Sequence, residues 1–456
     1  MKSATAAHPL PALTAAQAAA PLVAALPNGL RVLAIPMPWR ATVSLSVFVR
    51  TGSLHETPAR LNGISHVVEH MAFKGTATRD CQRINLDAEA LGADMNAHTD
   101  KDHTAFHLEG LPEDLPAFVD LLADIVLNPS FPEEELERER GVITQEFSEY
   151  EDDPVSQAFQ LFDRACFGAR HPAGRPIIGT RANIQRFSRA DLLGYVQRQY
   201  SASNVVVAVA GPLDERDFER RLLPLVSAAF GAMPAGQPNT IDHPAWQGGL
   251  RQRRLAGSGQ CQLVMGFAAP RLSEDESHLP HVLAAALLGE GMSSPLLDEI
   301  RERRGLAYQV GCVADILPHA GQFVIDAATA PAQGLELIEA VEALLRRLAE
   351  AARPDPVALE RARRQLALRA LRALEQPARR MEAAALDLFS FGRLRRPQDW
   401  LERLQSVSAA EVQAVFAGLH GGGPATQPAA VALAGSVPTR LRERAAELFR
   451  LDAQAA

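Results

Sequence analysis

The chain carries the sequence Gly-Ile-Ser-His-Val-Val-Glu-His at residues 63–70, and this stretch decides how the rest is interpreted. A helical pattern runs from about Ile64 to Phe73. His66 and His70 are four residues apart, so on a helix they lie one turn apart on the same face. We therefore expect both imidazoles to reach a single ion.

Glu69 adds a carboxylate at the edge of that face, three residues after His66 and one before His70. The resulting HxxEH spacing is the reverse of HExxH, and both patterns occur in zinc hydrolases. Catalytic zinc takes three protein ligands and a water, and a nearby carboxylate can contact that water without binding the metal. The alternative is two surface histidines beside a glutamate, and the pentapeptide alone leaves both interpretations open.

Candidates for the third ligand lie on a helix predicted over 132–150, which is rich in glutamate. An acidic run is usually a solvated helix face. Glu139 and Glu146 are seven residues apart, however, and share a face with the apolar Val142 and Ile143. Carboxylates on such a stripe are poorly solvated unless something positive faces them, and a metal with its histidines would meet that requirement.

The flanking sequence predicts an α+β fold made of two similar halves. Besides the helix at 132–150, a helix is predicted over 113–127 and strands over 30–35, 43–49, 94–99, 104–109 and 205–210. Residues 231–259 are rich in Gly and Pro, as a linker would be. Leu136-Glu137-Arg138 recurs in the second half as Leu359-Glu360-Arg361, in a similar order of elements, which suggests a duplication. We predict a disordered leader over 1–26, a first domain over 27–235, a linker over 236–256 and a second domain over 257–456.

Composition narrows the class of protein. The chain has 456 residues and a net charge of −8, so it is long enough for two or more domains and lacks the basic surface of a nucleic-acid binder. The four cysteines are far apart in sequence, which favours free thiols over disulfides. Prolines interrupt every apolar run in the leader, and no stretch approaches about 18 apolar residues. We expect a cytoplasmic protein, with the periplasm less favoured and no membrane partner.

The segments His66–Thr76 and Glu137–Ile143, with Glu146 following, resemble the pitrilysin/insulysin metallopeptidases, in particular their bacterial members similar to mitochondrial processing peptidase. The resemblance extends from Asn28 to the last helices. In that family the third zinc ligand is a glutamate well beyond the second histidine, at a separation that matches the one between His70 and Glu146. The resemblance implies one Zn²⁺ per chain on His66, His70 and Glu146. It also implies that Glu69 is the general base and that Glu139 orients a ligand histidine.

Two further matches concern the substrate. Asn96-Ala97-His98-Thr99 resembles the family's edge strand beside the zinc, to which a peptide can add as an extra strand. Arg301 and Tyr308 match an Arg and a Tyr that reach the substrate from the family's second domain. An Arg can hold a peptide carbonyl or carboxylate, and a Tyr hydroxyl can stabilise an oxyanion.

His98, His103 and His107 could approach substrate, but polar strand positions are the simpler interpretation. At the offset that relates Leu136 to Leu359, Glu139 and Glu146 correspond to Ala362 and Arg369, so the second half keeps no metal set.

The resemblance implies a zinc endopeptidase that hydrolyses short or unfolded peptides. Two chains would form a clamshell around a closed chamber. Because one chain holds both the metal set and the Arg/Tyr pair, a homodimer is expected, and a heterodimer with a different chain remains an alternative. The other alternative is a structural assembly subunit that has the same fold and no activity.

Overall fold

Two mixed β-sheets organise the chain, one in each half. The computed structural model describes residues 13–14, 20–420 and 427–451. The strands are β1 (Leu22–Ala25), β2 (Arg31–Pro36), β3 (Val43–Val49), β4 (Asp94–Thr99), β5 (Thr104–Gly110), β6 (Val205–Gly211), β7 (Gly249–Arg254), β8 (Cys261–Ala269), β9 (Gln309–Ile316), β10 (Gly321–Thr329) and β11 (Ala430–Gly435). We call the part of the chain over 22–235 the first unit and the part over 249–451 the second unit.

Helices cover both sheets. Those of the first unit are α1 (Ile64–Ala72), α2 (Cys81–Ala90), α3 (Leu115–Leu127), α4 (Glu133–Asp152), α5 (Pro154–Phe167), α6 (Arg181–Arg186), α7 (Arg189–Gln199), α8 (Glu215–Asp217) and α9 (Leu223–Phe230). Those of the second are α10 (Leu279–Gly289), α11 (Pro295–Leu297), α12 (Gly334–Glu350), α13 (Pro356–Leu374), α14 (Pro377–Phe391), α15 (Pro397–Ser406), α16 (Ala409–His420) and α17 (Thr439–Phe449).

The two units share one topology, to which the first sheet adds the edge strand β1. The strand order is β1-β2-β6-β3-β5-β4 in the first sheet and β7-β11-β8-β10-β9 in the second. One parallel pair occurs in each, β2 with β6 and β7 with β11, and the other pairs are antiparallel. The start of α13 follows the start of α4 by a fixed number of residues, and the start of α14 follows the start of α5 by the same number. The same offset separates Leu136 from Leu359. The predicted α+β class with two similar units is therefore confirmed.

Each unit also covers the sheet of the other. Helix α5 of the first unit packs Ala158, Phe162 and Ala165 against the second sheet. Its counterpart α14 packs Met381 and Leu388 against the first sheet. Both faces of the central strands are thereby buried, and for this reason β6 is apolar along its whole length instead of alternating.

The structure differs from the predicted boundaries in two places. Strand β7 lies inside the predicted linker 236–256, although it pairs with β11 in the second sheet. Its sequence, Gly-Leu-Arg-Gln-Arg-Arg, buries only Leu250, because β7 is an edge strand with a polar exposed side. Strand β1, in the predicted leader 1–26, pairs with β2. Residues 1–12 and 15–19 of that leader lie outside the described residues.

The start of α1 is fixed by a buried carboxylate. Glu56 is fully buried and accepts hydrogen bonds from the backbone N–H groups of Gly63 and Ser65 and from the Asn62 amide, at 2.8–3.0 Å. Gly63 has a φ of +97° and lies against Gly179, where a side chain would meet backbone atoms at 2.8 Å. These contacts satisfy the first amides of the helix and hold its position.

The cysteines are as the sequence predicts. All four are free, and Cys166 and Cys261 are buried. No helix among the described residues combines the length and apolar composition needed to cross a membrane.

Candidate metal centre

The three side chains predicted as metal ligands come together where α1 packs against α4. The His66 Nε2 lies 3.6 Å from one Glu146 carboxylate oxygen, and the His70 Nε2 lies 3.5 Å from the other. Two imidazole nitrogens and a carboxylate are the donors that zinc prefers at catalytic sites. Zinc bonds of about 2.0–2.1 Å in tetrahedral geometry place neighbouring ligand atoms about 3.3–3.5 Å apart. The residues present therefore fit a zinc ion.

Glu139 lies behind this site and contacts one of the ligands. Its Oε2 is 3.1 Å from the His70 Nδ1, and its Oε1 pairs with the Lys74 ammonium at 2.7 Å. Burial raises the pKa of Glu139, but the contacts with His70 and Lys74 outweigh burial and leave the pKa below its ordinary value. The carboxylate can therefore accept the His70 Nδ1–H, which fixes the tautomer whose Nε2 binds metal.

The two histidines are held unequally. Burial lowers the pKa of His70, but the carboxylates of Glu139, Glu69 and Glu146 together raise it above its ordinary value. The buried His66 Nδ1 has no hydrogen-bond partner within the part of the chain that the structure describes. Glu139 is thus the one positioning carboxylate seen here, and it acts on His70.

Replacing Glu139 by Gln is expected to weaken zinc binding by about 10- to 100-fold, the range found for groups that orient metal ligands. The amide would retain an acceptor for His70 but would turn a donor towards Lys74. The measurement is zinc affinity by competition with a chromophoric chelator. Glu134→Gln is the matched control, because Glu134 is on the same helix and forms only an exposed pair with Arg138. Equal affinities in the two variants would contradict the role of Glu139.

Glu69 points to the same site from α1. Its Oε2 accepts a hydrogen bond from the Thr99 hydroxyl at 2.8 Å. Thr99 is the last residue of β4, which among the described strands is an edge strand that pairs only with β5. The catalytic candidate and the candidate substrate strand are therefore in direct contact. Beside them lies an open cleft of about 520 Å³, lined in part by His66, Thr99, Glu146 and Tyr150.

The apolar stripe expected on α4 is present only in part. Ile143 is buried, whereas Val142 is 52% exposed. The two carboxylates also differ, since the Glu139 side chain is 8% exposed and that of Glu146 is 47% exposed. Both carboxylates nevertheless lie near the histidines of α1, as expected for residues two turns apart on one helix.

The other predicted substrate residues lie in two places. Asn96, Ala97 and His98 belong to β4, and the Asn96 side chain accepts a hydrogen bond from the Ala97 N–H at 2.8 Å. Arg301 and Tyr308 lie in the second unit, with the guanidinium stacked 4.9 Å from the centre of the Tyr308 ring. Tyr308 is 79% exposed. Among the described residues of one chain, neither side chain hydrogen-bonds or ion-pairs with a residue of the metal centre.

The second unit has no equivalent of the metal centre among its described residues. Helix α10 corresponds to α1, and α13 corresponds to α4. Ala362 is buried at the position equivalent to Glu139, and Arg369 pairs with Glu290 at the position equivalent to Glu146.

Sequence reasoning did not foresee a second group of possible ligands, His98, His103 and Glu382, which lies in the first unit and α14.

The fold and this site define a protein of two α+β units with an inverted HxxEH metal motif on the first. The Insulinase (Peptidase family M16) family matches residues 31–181, and the Peptidase M16 inactive domain matches residues 186–366. The chain belongs to peptidase family M16.

Two relatives agree with this assignment, and a solved structure has the same fold. A protein from Rickettsia bellii named uncharacterized zinc protease is 32% identical over 393 residues, covering 86% of this chain and 92% of its own length. An uncharacterized zinc protease from Mycobacterium tuberculosis is 32% identical over 413 residues, covering 88% and 91%. A protease from Helicobacter pylori, solved by crystallography, superposes with a TM-score of 0.80 at 21% identity, covering 91% of this chain and 99% of that one.

Proposed function

We propose that the chain is a zinc-dependent endopeptidase acting on short or unfolded peptides. The observation that carries the proposal is the meeting of His66, His70 and Glu146 beside Glu69, whose carboxylate is held by Thr99. The names of the relatives as zinc proteases support the same choice of metal and reaction. A zinc ion bound there would lower the pKa of a water molecule and polarise the scissile carbonyl.

Glu69 is the residue placed to move protons. Its carboxylate accepts a proton from the attacking water as the new C–O bond forms. It then delivers that proton to the amide nitrogen as the C–N bond breaks. The hydrogen bond from Thr99 occupies one carboxylate oxygen, so the other oxygen is left for this exchange. The residue therefore serves first as base and then as acid.

The substrate would be held by the edge strand β4 and by two polar side chains of the second unit, Arg301 and Tyr308. Within the described part of the chain, β4 pairs on one side only, and an extended peptide can add to its other side. Because Asn96 already binds the Ala97 N–H, a peptide that uses this amide has to displace the Asn96 side chain. We propose that Arg301 holds a substrate carbonyl or carboxylate and that Tyr308 donates a hydrogen bond to the developing oxyanion.

Two chains would complete the enzyme as a homodimeric clamshell in the cytoplasm. Support comes from the exposure of Tyr308, since an aromatic side chain 79% exposed has surface left to cover with substrate or a second chain. A chamber closed in this way would admit unfolded peptides and exclude folded proteins, which restricts the substrate class without a sequence requirement.

The proposal is tested with the purified chain and a mixed library of unstructured peptides. We expect internal cleavage, a fall to background after the zinc is removed by a chelator, and recovery after zinc is restored to the metal centre, about one ion per chain at that site. Gel filtration of the active protein is expected to show a dimer of this chain alone. The absence of both zinc binding and cleavage would contradict the proposal and favour an inactive assembly subunit. Cleavage only after a different chain is added would favour a heterodimer.

A further inference from the structure

A group of histidines lies on the opposite side of the first sheet from the metal centre. Successive side chains of a strand point to opposite faces, so Thr99 reaches Glu69 while His98 points the other way, towards α14. There it meets His103 and His107. We call these three residues, with Asp102 and with Glu382 of α14, the histidine cluster. The proposed hydrolysis uses no side chain of this cluster.

Hydrogen bonds orient two of these imidazoles. The Asp102 carboxylate accepts a hydrogen bond from the His103 Nδ1–H at 2.7 Å, so His103 turns its Nε2 away from Asp102. The His98 Nδ1 lies 2.9 Å from the His107 Nε2, so the His98 Nε2 is also left outside that contact. The two remaining Nε2 atoms lie 3.3 Å apart. Either the hydrogen of an N–H···N hydrogen bond or a metal ion must lie between them, because two nitrogen lone pairs repel at this distance.

Glu382 supplies a third potential metal ligand. A proton shared by two imidazoles would not need this carboxylate. Its Oε1 lies 3.8 Å from the His103 Nε2, and the three ligand atoms of His98, His103 and Glu382 all lie within 4.8 Å of one another. The distances from the His103 Nε2 to the His98 Nε2 and to the Glu382 Oε1 are 3.3 and 3.8 Å. They bracket the distances of 3.5 and 3.6 Å between histidine nitrogens and carboxylate oxygens at the metal centre. Asp102 acts on His103 as Glu139 acts on His70, since each carboxylate accepts the Nδ1–H of a potential ligand.

We propose that His98, His103 and Glu382 form a second zinc site, structural in character, with Asp102 positioning His103. Two imidazoles and one carboxylate suit zinc among the divalent ions. The His103 side chain is 1% exposed, whereas that of Glu382 is 27% exposed, so the ion can enter past Glu382.

A metal at this site would join the two units. His98 and His103 flank the turn between β4 and β5 in the first unit, whereas Glu382 belongs to α14 of the second. The ion would fasten the edge strand β4, whose last residue holds Glu69, to a helix supplied by the other half of the chain. The site would thus stabilise the strand at which substrate is expected to bind, without taking part in the reaction.

Zinc stoichiometry tests the proposal. Each protein is equilibrated with excess zinc in mildly alkaline buffer, passed through gel filtration and measured by elemental analysis. We expect about two zinc ions per chain in the wild type, about one in Glu382→Gln and about one in His70→Asn, which impairs the metal centre instead. Glu375→Gln, an exposed change just before α14, is the matched control and is expected to keep both ions.

A second readout separates this site from the metal centre. In the His70→Asn protein, added zinc is expected to raise the melting temperature, and the further change Glu382→Gln is expected to abolish that rise. Glu382 is partly exposed, so its replacement is compatible with folding even if changes at the buried His103 are not. About one zinc ion in the wild type and none in His70→Asn would overturn the proposal, leaving a hydrogen-bonded histidine network around a proton.

Discussion

The variant Glu69→Gln is expected to lower kcat/KM for an unstructured peptide by about 100- to 10,000-fold, the range of a lost general acid–base group. Gln is nearly the same size and can still accept the Thr99 hydrogen bond, so the local packing is retained. It cannot take up the proton of the attacking water. The expected loss therefore lies in the chemical step, and it is measured as initial rates over a range of peptide concentrations.

Zinc content and melting temperature of the same preparations provide the control. Because Glu69 is not among the three ligands that meet at the metal centre, the variant is expected to keep its zinc. Glu89→Gln, an exposed change on α2, accounts for any general effect of removing a carboxylate. A Glu69→Gln protein that loses its zinc would make Glu69 a ligand, and one that keeps full activity would remove it from the mechanism.

The variant Glu146→Gln is expected to weaken zinc binding by more than about 100-fold, because it removes a ligand and not only a group that orients one. The nearby His66, whose Nε2 lies 3.6 Å away, lowers the pKa of Glu146 despite partial burial, so the carboxylate is ionised and ready to bind. The neutral amide has neither that charge nor comparable affinity for zinc. Activity is expected to fall with zinc occupancy and to recover in part when zinc is added in excess.

Glu149→Gln is the matched control for this prediction. Glu149 lies on the same helix, less than one turn beyond Glu146, and lines the same cleft, but it does not meet the histidines. Its replacement is expected to leave zinc affinity unchanged within about twofold. If Glu149→Gln weakened zinc binding and Glu146→Gln did not, the third ligand would have been assigned to the wrong carboxylate.

The elements predicted correctly are those whose own residues carry a clear pattern of apolar and polar positions. Strand β3 was predicted at its observed bounds, and α4 was placed to within two residues at its far end, because continuous apolar strands and a Pro-initiated acidic helix have strong local signals. Strand β7 gave no such signal, since an edge strand with three arginines and a glutamine and only one buried side chain is indistinguishable from a polar linker.

Contacts between distant segments were beyond prediction from one sequence. Nothing in the composition of α5 or α14 indicates that each covers the sheet of the other unit. The resemblance implied that Glu139 orients one of the two histidines. That this histidine is His70, and that Lys74 contacts the same carboxylate, depends on how α1 and α4 pack together. Likewise, His98, His103 and His107 resembled ordinary polar strand positions. They come together only through the pairing of β4 with β5, and Glu382 reaches them only because α14 packs against that sheet, so no local sequence pattern reveals the group.

The most direct test of the metal centre is X-ray diffraction from crystals of the active protein, with data collected on both sides of the zinc absorption edge. We expect an anomalous peak bonded to the Nε2 atoms of His66 and His70 and to the carboxylate of Glu146, at about 2.0–2.2 Å from each. A peptide-cleaving protein whose crystals show no zinc at these three residues would contradict the assignment of the metal centre.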